Sequence, residues 1–249
     1  MIDTHCHLSK EYYDNIDEIV SSMEGIMIVS GCNDETNKEV IDLVNKYDNV
    51  YGTLGFHPTE INNLNTKSLK FIEDNLNNPK IVAVGEIGLD YYWVNDNKQD
   101  QQSLFIKQIK LANKYNLPIV IHSREAILDT YNIIKKYSKT KKVLHCYSSS
   151  LEMAYEFIKL DTLLGIGGVI TFKNAEKLKR VVENIDLKYL LLETDSPYMS
   201  PHPFRGTQNK PSNVKYVAMK IAEIKGVSLD CVLKTTTENA IKTFDLKIS

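Results

Sequence analysis

No apolar run in this sequence is long enough to cross a membrane, so a spanning segment is not expected. Nor does a basic stretch followed by an apolar one precede Ile2-Asp3-Thr4-His5, so no signal peptide is expected and the expected location is the cytoplasm. Cysteine is scarce. Cys6, Cys32, Cys146 and Cys231 are scattered with no Cys-x-x-Cys pair, which argues against a zinc ribbon and a disulfide framework. A strong charge of either sign is also missing: 30 basic residues against 32 acidic ones leave a net charge of −2, so this is no electrostatic binder of nucleic acid. Any nucleic-acid substrate must be met locally, over a few phosphates. Arginine is reduced to Arg124, Arg180 and Arg205, which makes each worth attention. No linker, low-complexity tract or shift in composition marks a second domain, so one domain over residues 1–249 is expected.

What the chain does have is a regular beat of short apolar runs. Met1–His7, Ile26–Gly31, Val50–Phe56, Ile81–Leu89, Pro118–His122, Lys142–Tyr147, Thr162–Gly168 and Tyr189–Thr194 are rich in Ile, Val and Leu, as strands buried on both faces are. Between them lie helical patterns: Asp14–Met23, Asp34–Tyr47 after the cap candidate Asn33, a helix from the cap candidate Thr66 to Asn77, Lys98–Tyr115, Arg124–Tyr137 after Ser123, Leu151–Lys159 after Ser150, and Asn174–Asn184. Asn213–Lys225 and Leu229–Phe244 close the chain, with Ser212 and Ser228 as caps and Gly226 between. Eight strands alternating with helices predict an α/β fold, a (β/α)8 TIM barrel. A doubly wound open sheet is the alternative, weakened by the absence of a Gly-rich phosphate turn after an early strand.

In such a barrel the active site lies at the carboxyl ends of the strands. Five of the six histidines fall at predicted strand ends, and only His202 lies in a loop away from them. His5 and His7 share a face because a strand alternates with period two, and two imidazoles so placed can grip one divalent cation. Alone, the pair could as well be an idle surface motif. With Asp195 it makes a ligand set for one ion, while His122 and His145 would hold another and Glu86 would bridge both through its two oxygens. Paired cations of this kind activate water as a nucleophile and clamp a displacement at phosphorus. Asp195 is also placed to take a proton from that water. The bland alternative for Glu86 is a buried carboxylate paired with a lysine. Cys6 and Cys146 are expected to be small strand residues packed on the far side from their His neighbours.

Ile2-Asp3-Thr4-His5-Cys6-His7, Gly55-Phe56-His57-Pro58, Gly85-Glu86-Ile87-Gly88-Leu89-Asp90, His122-Ser123-Arg124, His145-Cys146-Tyr147 and Glu193-Thr194-Asp195-Ser196-Pro197 together resemble the TatD family of metal-dependent deoxyribonucleases. The match runs in order from His5 to about Pro211. The resemblance implies an amidohydrolase-superfamily barrel and divalent metals on His5, His7, Glu86, His122, His145 and Asp195. It also implies hydrolysis of DNA phosphodiesters, commonly at a single-stranded end, with two divalent ions drawn from Zn²⁺, Mg²⁺ or Mn²⁺. One stretch departs from the family pattern. In Arg205-Gly206-Thr207-Gln208-Asn209-Lys210-Pro211, Thr207 and Gln208 replace two basic residues and Lys210 replaces an acidic one, which alters the charge offered to a substrate phosphate.

Other rim residues admit two readings each. His57 could contact substrate phosphate or act as an acid, or be a structural histidine beside Pro58. Arg124 and Arg205 could clamp phosphate through their planar forks, or form surface salt bridges. Asp90, Tyr91, Tyr92 and Trp93 could form an aromatic edge for a terminal base, or simply pack. The expected partner is DNA, with no membrane and no obligate protein partner. Two other functions stay open: a relative of the same superfamily acting on a lactone, amide or ester or on mischarged aminoacyl-tRNA, and a non-enzymatic scaffold, disfavoured because no ligand is missing.

Overall fold

The computed structural model describes residues 1–94 and 96–247, so Asn95, Ile248 and Ser249 of the expected domain lie outside the described residues. The strands are β1 (Ile2–Cys6), β2 (Ile26–Ser30), β3 (Val50–Leu54), β4 (Ile81–Asp90), β5 (Ile119–Arg124), β6 (Lys142–Leu144), β7 (Thr162–Ile166) and β8 (Leu190–Leu192). The helices are α1 (Ile16–Ser21), α2 (Asp34–Lys46), α3 (Ser68–Asn75), α4 (Lys98–Tyr115), α5 (Ile127–Tyr137), α6 (Leu151–Lys159), α7 (Glu176–Asn184), α8 (Val214–Lys225) and α9 (Leu229–Phe244). The sheet has eight strands in the order β1-β2-β3-β4-β5-β6-β7-β8. A doubly wound sheet reverses direction at a switch point, and this consecutive order has none. The class is the (β/α)8 fold expected. No helix among the described residues is long and apolar enough to cross a membrane.

By its contacts the chain forms two compact units, Met1–Val29 with His145–Ser249, and Ser30–Leu144. In the first, β1 runs parallel to β2 with Ile2 opposite Ile26, and β7 parallel to β8 with Leu164 opposite Leu190. The hydroxyl of Thr4 donates to the Leu192 carbonyl at 3.0 Å, and the Asp195 N–H donates to the His5 carbonyl at 3.0 Å, so β8 and β1 lie side by side. In the second unit, β3, β4, β5 and β6 pair in parallel succession. The strands are apolar because both faces are covered: all ten positions of β4 are buried. Helices bury one stripe each, such as Val40, Leu43 and Val44 of α2.

Three caps are as expected. Asn33 accepts from the Glu35 and Thr36 N–H groups, Ser150 from Met153 and Ser228 from Cys231. Other boundaries moved. Thr66 caps nothing: α3 starts after Lys67, and the turn before it is closed by Asn65, whose side chain accepts the Lys67 N–H, and by Ser68. The helix predicted from Arg124 begins at Ile127, because β4 extends to Asp90 and pairs Leu89 with Ser123 and Asp90 with Arg124, carrying β5 through both. Ser212 lies in a 3-10 turn, Pro211–Asn213, and is not the cap of α8. Helix α1 starts at Ile16 under Asn15, and α7 at Glu176. Strands β6 and β8 stop short of His145 and Glu193, since Cys146 (φ 46) and Asp195 (φ 54) adopt left-handed backbone that leaves the strand.

Candidate metal centre

The first unit gathers His5, His7, His145 and Asp195. His5 is fully buried on β1 and His7 lies one residue past its end. Their Nε2 atoms are 3.3 Å apart, as period two predicts for residues on one face. Asp195 Oδ1 lies 3.8 Å from His5 Nε2 and 3.5 Å from His7 Nε2. The His145 ring stacks on His5 with centroids 4.0 Å apart. Ligand atoms of His5, His145 and Asp195 all lie within 4.8 Å of one another. Burial alone would raise the Asp195 carboxyl, but the hydrogen bond from His7 and the nearby His145 and His5 rings outweigh it and hold it below the usual range. Asp195 is therefore a carboxylate at neutral pH. The expected pairing of His145 with His122 joins residues of different units; within this unit His145 lies against His5 and Asp195.

Three buried residues hold this group in place, and the sequence reading gave none of them a role. Asp3 accepts from the His5 N–H, the Thr194 N–H and, at 2.6 Å, the Thr194 hydroxyl, which ties β1 to the residue before Asp195. Its carboxyl is pushed well above the usual range by burial, against the pull of those donors. Glu193 Oε1 accepts the Cys146 N–H at 2.5 Å and lies 3.8 Å from His145 Nδ1. Room for it comes from Gly165, where a Cβ would stand 2.1 Å from Glu193 Oε2. Asn209, fully buried, donates to the Thr194 and Tyr198 carbonyls and accepts from Asn213, so it staples the loop after β8. Asp3 precedes His5 by two residues and Glu193 precedes Asp195 by two. That spacing is the signal by which the first two could be found in the sequence. Cys6 packs away as expected, its thiol donating to the Ile28 carbonyl, whereas Cys146 is half-buried and outside the strand.

The second unit gathers His57, Glu86 and His122, whose ligand atoms also lie within 4.8 Å of one another. Glu86 Oε1 is 3.0 Å from His122 Nδ1 and 3.4 Å from His57 Nε2. Cys32, which the sequence reading passed over, donates its thiol to Glu86 Oε2 at 3.7 Å. The other nitrogen of His122, Nε2, lies 3.0 Å from Asp90 Oδ2. Asp90 is buried, and its second oxygen accepts the Tyr92 and Trp93 N–H groups. Burial raises the Asp90 carboxyl, but His122 and these N–H donors outweigh it and set it below the usual range. Asp90 therefore sits beside His122 as an ionised acceptor; a neutral ring that donates its Nε2–H to Asp90 has its Nδ1 lone pair toward Glu86. His57 is set the other way. Its Nδ1 accepts the Thr59 N–H at 3.2 Å, so the neutral ring carries its proton on Nε2, facing Glu86.

Both arginines of interest lie over aromatic rings. The Arg124 guanidinium is 4.0 Å from the Tyr92 ring centroid, and that of Arg205 is 3.7 Å from Phe172 while Nη1 donates to the Ser200 carbonyl. Neither has a carboxylate partner among the described residues. Tyr91 is buried, its hydroxyl donating to Asp129 at 2.8 Å. Of the altered loop residues, Gln208 donates to the Tyr12 carbonyl and Thr207 to Phe204.

The donor sets suit divalent metal. Two imidazole Nε2 atoms 3.3 Å apart beside a carboxylate, and a ring nitrogen 3.0 Å from a carboxylate oxygen, bring together groups that can each turn a lone pair to one cation. A cation between them satisfies all of them, and neutral imidazole with carboxylate is a ligand chemistry that Zn²⁺ and its neighbours accept.

The sequence profile of the family described as TatD related DNase matches residues 2–245. The metal-dependent hydrolase YabD of Bacillus subtilis is 40% identical over 252 residues, covering 98% of each chain. The metal-dependent hydrolase MJ1582 of Methanocaldococcus jannaschii is 36% identical, covering 99% of this chain and 98% of its own. The crystal structure of the TatD homologue YjjV from Escherichia coli superposes with a TM-score of 0.91 at 32% identity, covering 99% of this chain and 98% of that one.

Proposed function

From a chain that belongs to the TatD related DNase family, a family of metal-dependent hydrolases, we propose a nuclease that hydrolyses DNA phosphodiester bonds at single-stranded ends. The observation that carries this reading is the pair of ligand clusters, His5/His7/His145/Asp195 and Glu86/His122, accompanied by two arginines with no carboxylate partner among the described residues. We assign one divalent ion, Zn²⁺, Mg²⁺ or Mn²⁺, to each cluster. Such ions, when bound, supply the Lewis acidity that makes a water nucleophilic near neutral pH.

The remaining work falls to side chains. Asp195, ionised at neutral pH, accepts the proton of the attacking water on a carboxylate oxygen. Asp90 fixes the tautomer of His122 so that Nδ1 faces the ligand site. His57 offers its Nε2 proton to a phosphate oxygen, where negative charge grows as the bond to water forms. Arg124 and Arg205 each present a guanidinium fork suited to a phosphate of the strand. With a net charge of −2, these local cations must do what a basic surface does elsewhere.

The test is a cleavage assay. Protein and its Asp195→Asn variant meet single-stranded DNA labelled at either end, with EDTA, Mg²⁺, Mn²⁺ or Zn²⁺. The expected result is a metal-dependent ladder growing from one end, reduced by 10²-fold or more in the variant, a rough figure for loss of a positioned general base. Metal-loaded protein that cleaves no DNA but turns over a lactone, an ester or a charged tRNA would overturn the nuclease reading and leave the hydrolase.

A further inference from the structure

Tyr92 and Trp93 are large, aromatic and exposed, at 49% and 67%, directly after β4. Packing does not account for them. Tyr91, their neighbour, takes the packing role, buried against α5 with its hydroxyl on Asp129. The Tyr92 and Trp93 rings meet edge to face, with centroids 4.9 Å apart and planes at 85°, so they form a corner and do not stack on each other. Arg124 closes the corner, its guanidinium 4.0 Å from the Tyr92 centroid and 5.3 Å from that of Trp93. That charge is exposed and without a carboxylate partner among the described residues. The corner is also fixed. One oxygen of Asp90 takes the Tyr92 and Trp93 N–H groups while the other takes His122 Nε2, and the Tyr91 N–H donates to the Arg124 carbonyl at 2.9 Å. A candidate metal ligand and an aromatic corner thus hang on one buried carboxylate.

We propose that Trp93, with Tyr92 and Arg124, seats one unpaired nucleobase of the DNA strand, the base stacking on the Trp93 face and Arg124 holding the adjoining phosphate. This deepens the nuclease reading and rests on it. An indole that is 67% exposed offers sequence-tolerant stacking to any base, and the guanidinium supplies the positive charge that the surface as a whole lacks. A duplex end cannot use the corner without unstacking a base, which favours a single strand. Asp90 makes the position of the seat and the orientation of His122 interdependent.

The experiment uses an intrinsic probe, since Trp93 is the only tryptophan in the chain. Metal-loaded protein is titrated with an oligodeoxythymidylate made resistant by phosphorothioate linkages, and with a strand of equal length whose terminal positions are abasic. Stacking predicts that the base-bearing strand quenches Trp93 fluorescence and the abasic strand does not. Trp93→Ala is expected to weaken binding of the base-bearing strand about tenfold, to raise its KM accordingly and to abolish its advantage over the abasic strand, with Trp93→Phe restoring most of it. Equal quenching by both strands, or equal binding of both by protein and variant alike, overturns the seat. Cleavage of DNA that is unchanged in Trp93→Ala would sink the seat and leave the nuclease standing. Base-dependent quenching without any DNA cleavage would do the reverse.

Discussion

At the scale of single residues, Glu86 and Asp90 divide the labour of one strand. Glu86 is buried on a strand otherwise rich in Ile, Val and Ala, where a carboxylate is costly unless a cation or donors offset its desolvation. Glu86→Gln keeps the shape and removes the charge. We expect the bound metal, measured by elemental analysis, to fall by at least one ion per chain. Loss of both would mean that Glu86 serves both, as the sequence suggests, and full retention would remove it from the ligand set. Asp90 acts through His122 and has a different signature. Its folded carboxyl lies below the ordinary value of 3.8, so its stabilising contribution is complete above that value and is lost as the pH falls through the lower folded one. The gap in unfolding free energy between the protein and Asp90→Asn, measured in urea with EDTA present, should narrow as the pH falls below about 4. A gap that widened as the pH fell through that acidic range would contradict the assignment. The histidines of both clusters were legible in the sequence because ligand-type residues recur at the ends of apolar runs. The direction each ring nitrogen faces was not, since that depends on which carboxylate a neighbouring strand supplies. For His57, which the sequence leaves between substrate contact and structural role, the orienting partner is local instead: the N–H and hydroxyl of Thr59 both meet its Nδ1 and turn Nε2 toward Glu86.

At the scale of elements, what the sequence could not show was where strands stop. Period and composition carry β6 to Tyr147, yet Cys146 turns into left-handed backbone first; they carry β8 to Thr194, yet the strand ends at Leu192 ahead of the left-handed Asp195. Local strain of this kind persists only where surroundings over-determine it, and here buried acceptors do so. Glu193 holds the Cys146 N–H, and the His5 carbonyl holds the Asp195 N–H. Asn209 secures the segment that follows. In the sequence it stands only as one residue of the loop from Arg205 to Pro211, whereas in the structure its side chain makes four hydrogen bonds, to Thr194, Tyr198, Lys210 and Asn213. Asn209→Ala strands several buried polar groups at once, and urea unfolding should show a loss of about 3 kcal/mol. Asn209→Asp should also lose, because it cannot donate to the two carbonyls. A neutral result for both would mean that the loop's position does not depend on this staple.

At the scale of the whole molecule, the fold was legible because it is a matter of count and order. Eight buried strands alternating with helices leave few topologies, and the consecutive order found is the one that βα units favour. Function was less legible, since charge balance says only what the molecule is not. Thirty basic and 32 acidic residues give no general attraction for a polyanion, so affinity for DNA must come from a few contacts. That has a measurable form. Each phosphate neutralised on a single strand contributes about −0.7 to the slope of log K against log salt, so contacts from Arg124 and Arg205 alone predict a slope of about −1.4. A protein that grips DNA over a broad basic face has a slope several times steeper. Arg124→Ala or Arg205→Ala should each flatten the line by about 0.7, and the double variant should bind with almost no salt dependence. Trp93→Ala should weaken binding at every salt concentration and leave the slope unchanged, because stacking releases no counterions. A steep slope that survives loss of both arginines would place the phosphate grip on lysines elsewhere on the chain and remove Arg124 and Arg205 from the phosphate-binding role.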